Sequence, residues 1–294
     1  MNNVVLRALS GALYIALIVC SLLFRDLYFC ILCMLFGIIA VVELDTLMAR
    51  AVHKEDTHAE PTLTSMALDV FGIMALTLPA IALSLDMSFY GILIYSMAGL
   101  LLWGIYIVIR MLTTLYSTRG IPARELAYSF MGQVYLGLGL VSAQVLSLFS
   151  PGLVLLVFIL IWINDTGAFL VGSAIGRRKL FPRLSPGKSW EGFFGGLFLG
   201  IAVSILLLFT GVTGRMAGYT GIGAWGLAFG LPITVGIAGT FGDLFESMLK
   251  RSVGAKDSGK LIPGHGGILD RIDSMLWAMP ATLMFIFFYA ICIR

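Results

Sequence analysis

Long apolar runs dominate the sequence and limit what it can fold into. Nine of them contain few charges, at residues 4–24, 27–48, 66–85, 89–109, 125–149, 151–172, 192–211, 222–241 and 269–292. A helix needs about 20 apolar residues to cross a bilayer core, and continuous rather than alternating runs exclude a transmembrane β-barrel. Charged residues make up 12% of the chain, too few for a water-soluble surface. We therefore predict an all-α, polytopic integral membrane protein with about nine transmembrane helices.

Basic residues are distributed unevenly between the two faces of this predicted bundle. With nine spans, 16 of the 19 lysines and arginines fall on the side of the N-terminus, with Arg110 counted as a loop residue. Positive charge accumulates in cytoplasmic loops, so we predict a cytoplasmic N-terminus and an outward C-terminus in the cell inner membrane. The formal charge of +3 is too small to indicate a nucleic-acid partner.

Polar side chains are concentrated in the second half of the chain. Residues 1–150 have few polar groups within their apolar runs, and we interpret them as a scaffold of membrane helices with lipid or dimer contacts. Residues 151–294 carry four groups of polar residues, all predicted near one cytoplasmic face. We therefore expect a C-terminal catalytic membrane domain at 151–294.

The first polar group lies within an apolar run. Asn164, Asp165 and Thr166 are consecutive in the run 151–172. An ionised carboxylate there is costly unless it faces a partner or a water-filled cavity. A polar contact between helices is the alternative, but an Asn or Thr alone would satisfy it, so we expect a functional role for Asp165.

The second group precedes the run 192–211. The segment Ser185–Ser189 has two hydroxyls, free backbone donors and Lys188, and is predicted to form a turn that opens onto a helix N-terminus able to hold an anion. The spacing of a P-loop is absent, and Glu191 in the first helical turn can complement the helix dipole. The glycines that follow recur at a spacing typical of close helix packing, at 192, 195, 196 and 200.

The third group alternates acids and bases. As a helix, the segment 242–251 places its polar residues on one face, namely Asp243, Glu246, Ser247, Lys250 and Arg251. A separate amphipathic helix at the membrane surface is an alternative interpretation of this pattern.

The fourth group surrounds the start of the last apolar run. Asp270 and Asp273 are three residues apart, so both carboxylates share one helix face. Like charges side by side are destabilising unless a cation lies between them, and oxygen ligands suit a hard ion such as Mg²⁺. The preceding glycines can let the backbone approach a phosphate closely, at 264, 266 and 267.

Carboxylates, lysines and phosphate-binding turns at one face indicate Mg²⁺-dependent phosphoryl or nucleotidyl transfer involving a phosphorylated lipid. A secondary transporter for an anionic solute would also use buried polar groups. Transporters of that kind usually have two similar halves, whereas this chain has a polar-poor and a polar-rich half. The residues alone do not identify the nucleotide.

The segment Ser247–Asp273 has the sequence SMLKRSVGAKDSGKLIPGHGGILDRID. It resembles the signature of the phosphatidate cytidylyltransferases, also called CDP-diacylglycerol synthases, at every specified position. The segments Asn164–Thr166 and Ser185–Gly192 resemble a second block of that family, with Gly187 where many members have a second lysine. The pattern Asp-Gly-x2-Ala-Arg of the CDP-alcohol phosphotransferases does not occur, whereas a relative acting on another phosphorylated lipid stays an alternative.

The resemblance implies that CTP and phosphatidate, held at a membrane, give CDP-diacylglycerol and pyrophosphate for phospholipid biosynthesis. It also implies Mg²⁺ with a K⁺ ion beside it, bound by Asp243 and Asp270, with Asp165 completing the site and Glu246 as a further candidate. The expected catalytic residues are Asp243, Asp270, Lys250 and Arg271. The expected substrate-binding residues are Asn164, Ser185, Lys188, Ser189, Glu191, Ser247, Arg251, Lys256, Asp257, His265, Gly266, Gly267 and Asp273.

Two further expectations concern assembly. The acids at 165, 243 and 270 are expected to meet at the inner leaflet boundary. The glycines at 192–200 either pack within one chain or form a homodimer contact.

Overall fold

The computed structural model describes residues 3–52, 61–117, 121–212, 216, 222–259, 261 and 266–293. Within these ranges nine helices of at least 20 residues follow one another: α1 (Asn3–Phe24), α2 (Asp26–Val52), α3 (Leu63–Leu83), α4 (Phe89–Leu115), α5 (Pro122–Phe149), α6 (Pro151–Ile175), α7 (Trp190–Phe209), α8 (Ile222–Ser252) and α9 (Leu269–Ile293). Two short strands lie between α6 and α7, β1 (Lys179–Phe181) and β2 (Ser185–Ser189).

The length and composition of these helices confirm the predicted class. In the described part of the chain, eight helices, α2 to α9, are long and apolar enough to cross a membrane, and α1 contributes a shorter apolar segment, Leu9–Phe24. The protein is therefore an all-α, multi-pass membrane protein. The direction in which its termini face stays a prediction.

Helix α8 is longer than the sequence pattern predicted. The apolar run was expected to end at residue 241, but the helix continues to Ser252 through the charged segment that follows. The alternative of a separate surface helix is therefore wrong. The continuation has a physical reason: the polar residues of this segment recur every three to four positions, so one helix face carries them while Leu244 and Leu249 stay buried on the other.

The residues group into two compact units. The first contains Met1–Leu148 and Leu249–Ile272, and the second contains Phe149–Met248 and Asp273–Arg294. The segment Leu249–Ile272, expected in the C-terminal catalytic domain, thus belongs to the unit built from the N-terminal helices.

The first unit has a buried ionic network that the sequence analysis did not anticipate. Arg110 lies within α4 and is only 3% exposed, so its placement in a loop was wrong. Its guanidinium contacts Asp69 of α3 at 3.4 Å and Glu125 of α5 at 3.1 Å. Buried charges in a membrane helix are costly unless they are paired, and this pairing explains how α4 accommodates an arginine.

Glycines let α6 and α7 pack closely in the second unit. A Cβ at Gly196 would lie 2.6 Å from the carbonyl oxygen of Asn164, and one at Gly192 would lie 2.7 Å from that of Ala168. This confirms the predicted close helix contact and places it within one chain. The glycine surface at these two positions is therefore covered by α6.

The segment between α6 and α7 differs from its prediction. Ser185–Ser189 was expected to form a turn but is strand β2, which pairs antiparallel with β1, Lys179 opposite Ser189 and Phe181 opposite Ser185. The expected opening onto a helix is confirmed, because the Ser189 hydroxyl accepts a hydrogen bond from the Gly192 amide at 3.1 Å and caps α7. The pairing of β2 with β1 and the capped start of α7 thus fix the position of Lys188.

Candidate active site

An ion pair joins the β-hairpin to α8 in the second unit. The Lys188 ammonium lies 2.6 Å from Oδ2 of Asp243, and both side chains are partly exposed. The Ser247 hydroxyl, one helical turn further along α8, donates to Oδ1 of the same aspartate at 3.3 Å. Two predicted site residues that are far apart in sequence, Lys188 and Asp243, are therefore in contact.

Asp165 belongs to the same group of charges. Its carboxylate, on α6, interacts electrostatically with both Lys188 and Asp243. Two carboxylates close together repel each other, and the lysine ammonium reduces that repulsion. The neighbouring Asn164 is buried, and its Oδ1 has no hydrogen-bond partner among the described residues. A Cβ at Gly196 or Gly236 would lie 2.8 Å from that oxygen, so Asn164 fills the space between α7 and α8.

The predicted substrate-binding residues of the hairpin have internal partners. Glu191 accepts hydrogen bonds from the backbone amides of Arg177 and Arg178 at 3.1–3.2 Å. Ser189 is buried as the cap of α7, while Ser185 is half-buried on β2. These contacts indicate that Glu191 and Ser189 hold the hairpin that presents Lys188.

The other predicted residues of the second unit lie on α8 and α9. Glu246 has no exposed surface, whereas Asp243 is partly exposed. Asp273 accepts a hydrogen bond from the Ser274 amide at 2.6 Å. Its backbone oxygen lies so near α8 that a Cβ at Gly242 would approach it to 2.6 Å.

A second ion pair lies in the first unit. The Lys250 ammonium, on α8, is 2.6 Å from Oδ1 of Asp270 in the first turn of α9. Lys250 is 9% exposed, so this pair is well shielded from water. Like the pair Lys188–Asp243, it places a cation on the oxygen of an aspartate that was predicted to bind a metal.

The loop before α9 folds around the other oxygen of Asp270. Oδ2 accepts hydrogen bonds from the Ser258 amide at 2.9 Å, the Ser258 hydroxyl at 3.0 Å and the Gly267 amide at 2.8 Å. Gly266 has φ +82°, a conformation that costs other residues about 1–2 kcal/mol. The glycines of the signature thus let the backbone wrap a carboxylate.

Glu43 of α2 is a participant that the sequence analysis missed. Its Oε1 accepts from the Ile268 amide at 3.0 Å, and its Oε2 accepts from the Leu269 amide at 2.9 Å. The single proton of the Ser258 hydroxyl is shared between Oε2 of Glu43 at 3.1 Å and Oδ2 of Asp270 at 3.0 Å. The two acids in the apolar run 27–48, Glu43 and Asp45, were the only available signal. In addition, Tyr14 of α1 donates to the Arg271 carbonyl at 2.9 Å.

The remaining predicted residues of the first unit surround this loop or lie outside the described residues. The Arg251 guanidinium donates to the Ala255 carbonyl at 2.7 Å, and Lys256 and Asp257 are exposed. Arg271 is half-buried in the first turn of α9. His265 lies outside the described residues, so its predicted polar contact stays a prediction.

The carboxylates of the candidate site are ligands that suit a hard cation such as Mg²⁺. The described residues contain no group of three or more His, Cys, Asp or Glu side chains arranged to hold a metal. However, Mg²⁺ is commonly bound by one or two carboxylates, with substrate phosphates and water as its other ligands. Asp243, which Lys188 contacts at 2.6 Å, and Asp165, which interacts electrostatically with both, are candidates for such a pair.

Comparisons with known proteins agree with the signature. The sequence matches the cytidylyltransferase family over residues 5–289. A phosphatidate cytidylyltransferase of Staphylococcus aureus is 38% identical over 169 residues, which cover 57% of this chain and 61% of the relative. One of Haemophilus influenzae is 44% identical over 138 residues, 46% of each protein. The chain therefore spans no more than 61% of the length of these two relatives. Because the family match covers nearly all of the chain, this protein belongs to the cytidylyltransferase family.

Proposed function

We propose that the protein transfers CMP from CTP to phosphatidate, giving CDP-diacylglycerol and pyrophosphate. The observation that carries the proposal is the pairing of an aspartate with a lysine at 2.6 Å in each unit, Lys188–Asp243 and Lys250–Asp270, in a member of the cytidylyltransferase family. This combination suits nucleotidyl transfer, because lysines bind phosphates and carboxylates bind the metal ion that accompanies them. Both named relatives are phosphatidate cytidylyltransferases, which supports the choice of lipid.

The reaction needs positioning and charge neutralisation more than it needs a proton acceptor. An anionic phosphate oxygen of phosphatidate attacks the α-phosphorus of CTP, a P–O bond forms there, and the bond to the β-phosphate oxygen breaks to release pyrophosphate. The nucleophile is already ionised, so no general base is required. In this proposal Lys188 binds phosphate oxygens in the second unit, and Lys250 and Arg271 bind phosphate oxygens in the first.

Asp165 and Asp243 are the proposed Mg²⁺ ligands of the second unit, and Asp270 is the proposed ligand of the first. Bound Mg²⁺ would neutralise negative charge on the phosphates of CTP. Oδ2 of Asp270 is occupied by its own loop, so Oδ1, which accepts a hydrogen bond from the Lys250 ammonium, is the oxygen that would serve a metal. A K⁺ ion beside it stays part of the proposal.

The activity can be tested with purified protein in mixed micelles containing phosphatidate. CTP labelled at the α-phosphate should transfer its label to chloroform-extractable lipid, and CTP labelled at the γ-phosphate should leave its label in aqueous pyrophosphate. Chelation with EDTA should abolish transfer and excess Mg²⁺ should restore it. Diacylglycerol in place of phosphatidate is the control that should remain unlabelled. Transfer of the γ-label to lipid would instead indicate a kinase, and no transfer of either label would contradict the proposal.

We also propose that the protein lies in the inner membrane with its active site on the cytoplasmic side. The asymmetric distribution of basic residues supports this orientation. Alkaline phosphatase, which is active only outside the cytoplasm, should be active when fused after Arg294, and green fluorescent protein at the same position should be dark if exported through the general secretory route. A fusion that is active only in the cytoplasm would contradict the predicted topology.

A further inference from the structure

We propose that Glu43 is a positioning residue for the reaction proposed above, and that it acts by holding the Asp270 loop from a neighbouring helix. The inference rests on the proposed function for its catalytic consequence, but its structural part can be tested without it. Glu43 lies on α2, far in sequence from the signature segment, and within the first unit it contacts that segment at three points.

The contacts of Glu43 use both oxygens of its carboxylate. Oε1 binds the Ile268 amide, and Oε2 binds the Leu269 amide and the Ser258 hydroxyl, at 2.9–3.1 Å. The side chain is only 9% exposed. Hydrogen bonds to a shielded carboxylate are stronger than neutral ones, so these three contacts hold the backbone before and at the start of α9 firmly.

Glu43 occupies the place where an anion would bind at the N-terminus of α9. The first amides of a helix have no partner within the helix and attract phosphates and carboxylates. At α9 the Ile268 and Leu269 amides bind Glu43, and the Gly267 amide binds Asp270. These three amides therefore bind carboxylates of the protein itself. The phosphates of a substrate would bind to side chains instead.

Ser258 connects Glu43 with the proposed catalytic carboxylate. Its hydroxyl lies 3.1 Å from Oε2 of Glu43 and 3.0 Å from Oδ2 of Asp270. The fit around this link is close, because a Cβ at Gly259 would lie 2.6 Å from Oε1 of Glu43. A displacement of Glu43 would therefore be passed to Asp270 through Ser258 and through the backbone at Gly267.

Capping the start of α9 does not require a charged side chain from another helix. A carboxylate within a membrane helix is costly, whereas a serine, threonine or aspartate next to the helix start would cap α9 at lower cost. A cap supplied from α2 instead ties the start of α9 to a separate membrane helix. This arrangement is what fixed placement of Asp270 requires.

The test is the variant Glu43→Gln, assayed beside wild type and the control Glu125→Gln. Glutamine has the same shape, but its amide group is a donor and would face an N–H or O–H donor of the loop. A misplaced reacting group can cost about 100-fold, so we expect kcat per folded enzyme to fall about 10- to 100-fold, with KM for CTP and phosphatidate within about twofold. Glu125→Gln removes a partner of Arg110 in the same unit and should leave kcat within about twofold of wild type.

Hydrogen–deuterium exchange provides a readout that does not depend on activity. Peptides covering residues 266–272 should exchange faster in Glu43→Gln than in wild type, and peptides from α3 and α4 should not change. Unchanged exchange at 266–272 would overturn the positioning role even if the protein proves to have another activity. A raised KM with unchanged kcat, or a kcat that falls only with the folded fraction, would also overturn it. If wild type fails to form CDP-diacylglycerol while the exchange result holds, the proposed function fails and the structural link stands.

Discussion

Asp243→Asn is expected to lower turnover by about two to three orders of magnitude while the protein still inserts and purifies. The substitution keeps the shape of the side chain but removes the charge that faces Lys188 at 2.6 Å and interacts with Asp165. Because Asp243 is partly exposed, the fold should tolerate the change. The measurement is incorporation of α-labelled CTP into lipid, with the thermal unfolding midpoint as the check on folding.

The control separates metal binding from the ion pair. Lys188→Met removes the ammonium and keeps the apolar stem of the side chain. If Asp243 acted only by pairing with Lys188, the two single variants and the double variant would lose the same activity. We expect Asp243→Asn to lose more than Lys188→Met, and to need a higher Mg²⁺ concentration for half-maximal rate. Equal losses with unchanged Mg²⁺ dependence would remove Asp243 from the metal site.

The membrane helices could be predicted from sequence because one physical requirement decides them. A span of about 20 apolar residues is a property of a single segment, so the starts of α4, α6 and α9 were placed correctly, and the ends of α6 and α9 within three residues. The end of α8 was missed, because hydropathy falls at Asp243 although the helical period continues to Ser252. Hydropathy reports the free energy of transferring side chains into lipid. It does not report where the backbone hydrogen bonds of a helix end.

The site was partly predictable for a similar reason. Asp165, Asp243 and Asp270 were selected as candidates because acids are rare in this chain and these three occur in motifs, and their roles stay predictions. Glu43 and the network of Arg110, Asp69 and Glu125 were missed, because their partners lie on other helices. An acid in an apolar run carries no local mark that distinguishes a cap for a distant helix from a surface residue. Contacts between segments far apart in sequence are set by packing, and no short pattern records them.

Asp270→Asn is expected to reduce both activity and stability. Oδ1 of Asp270 holds the shielded Lys250 ammonium, and Oδ2 holds three donors of the loop. In either orientation the asparagine amide group would turn a donor toward a donor, and Lys250 would lose its anionic partner. Removing one member of a buried ion pair costs about 3–5 kcal/mol, so we expect a clear fall in the thermal unfolding midpoint and a loss of turnover of about two to three orders of magnitude.

The double variant Lys250→Met/Asp270→Asn separates these two effects. Methionine leaves no buried cation without a partner, so a large part of the lost stability should return. Turnover should not return, because neither the proposed metal ligand nor the phosphate-binding lysine is present. Recovery of both stability and activity would show that the pair Lys250–Asp270 only supports the fold. Within the single variant, a raised Mg²⁺ requirement is the result expected of a ligand, and an unchanged requirement would leave Asp270 as the residue that holds Ser258, Gly267 and Lys250 in place.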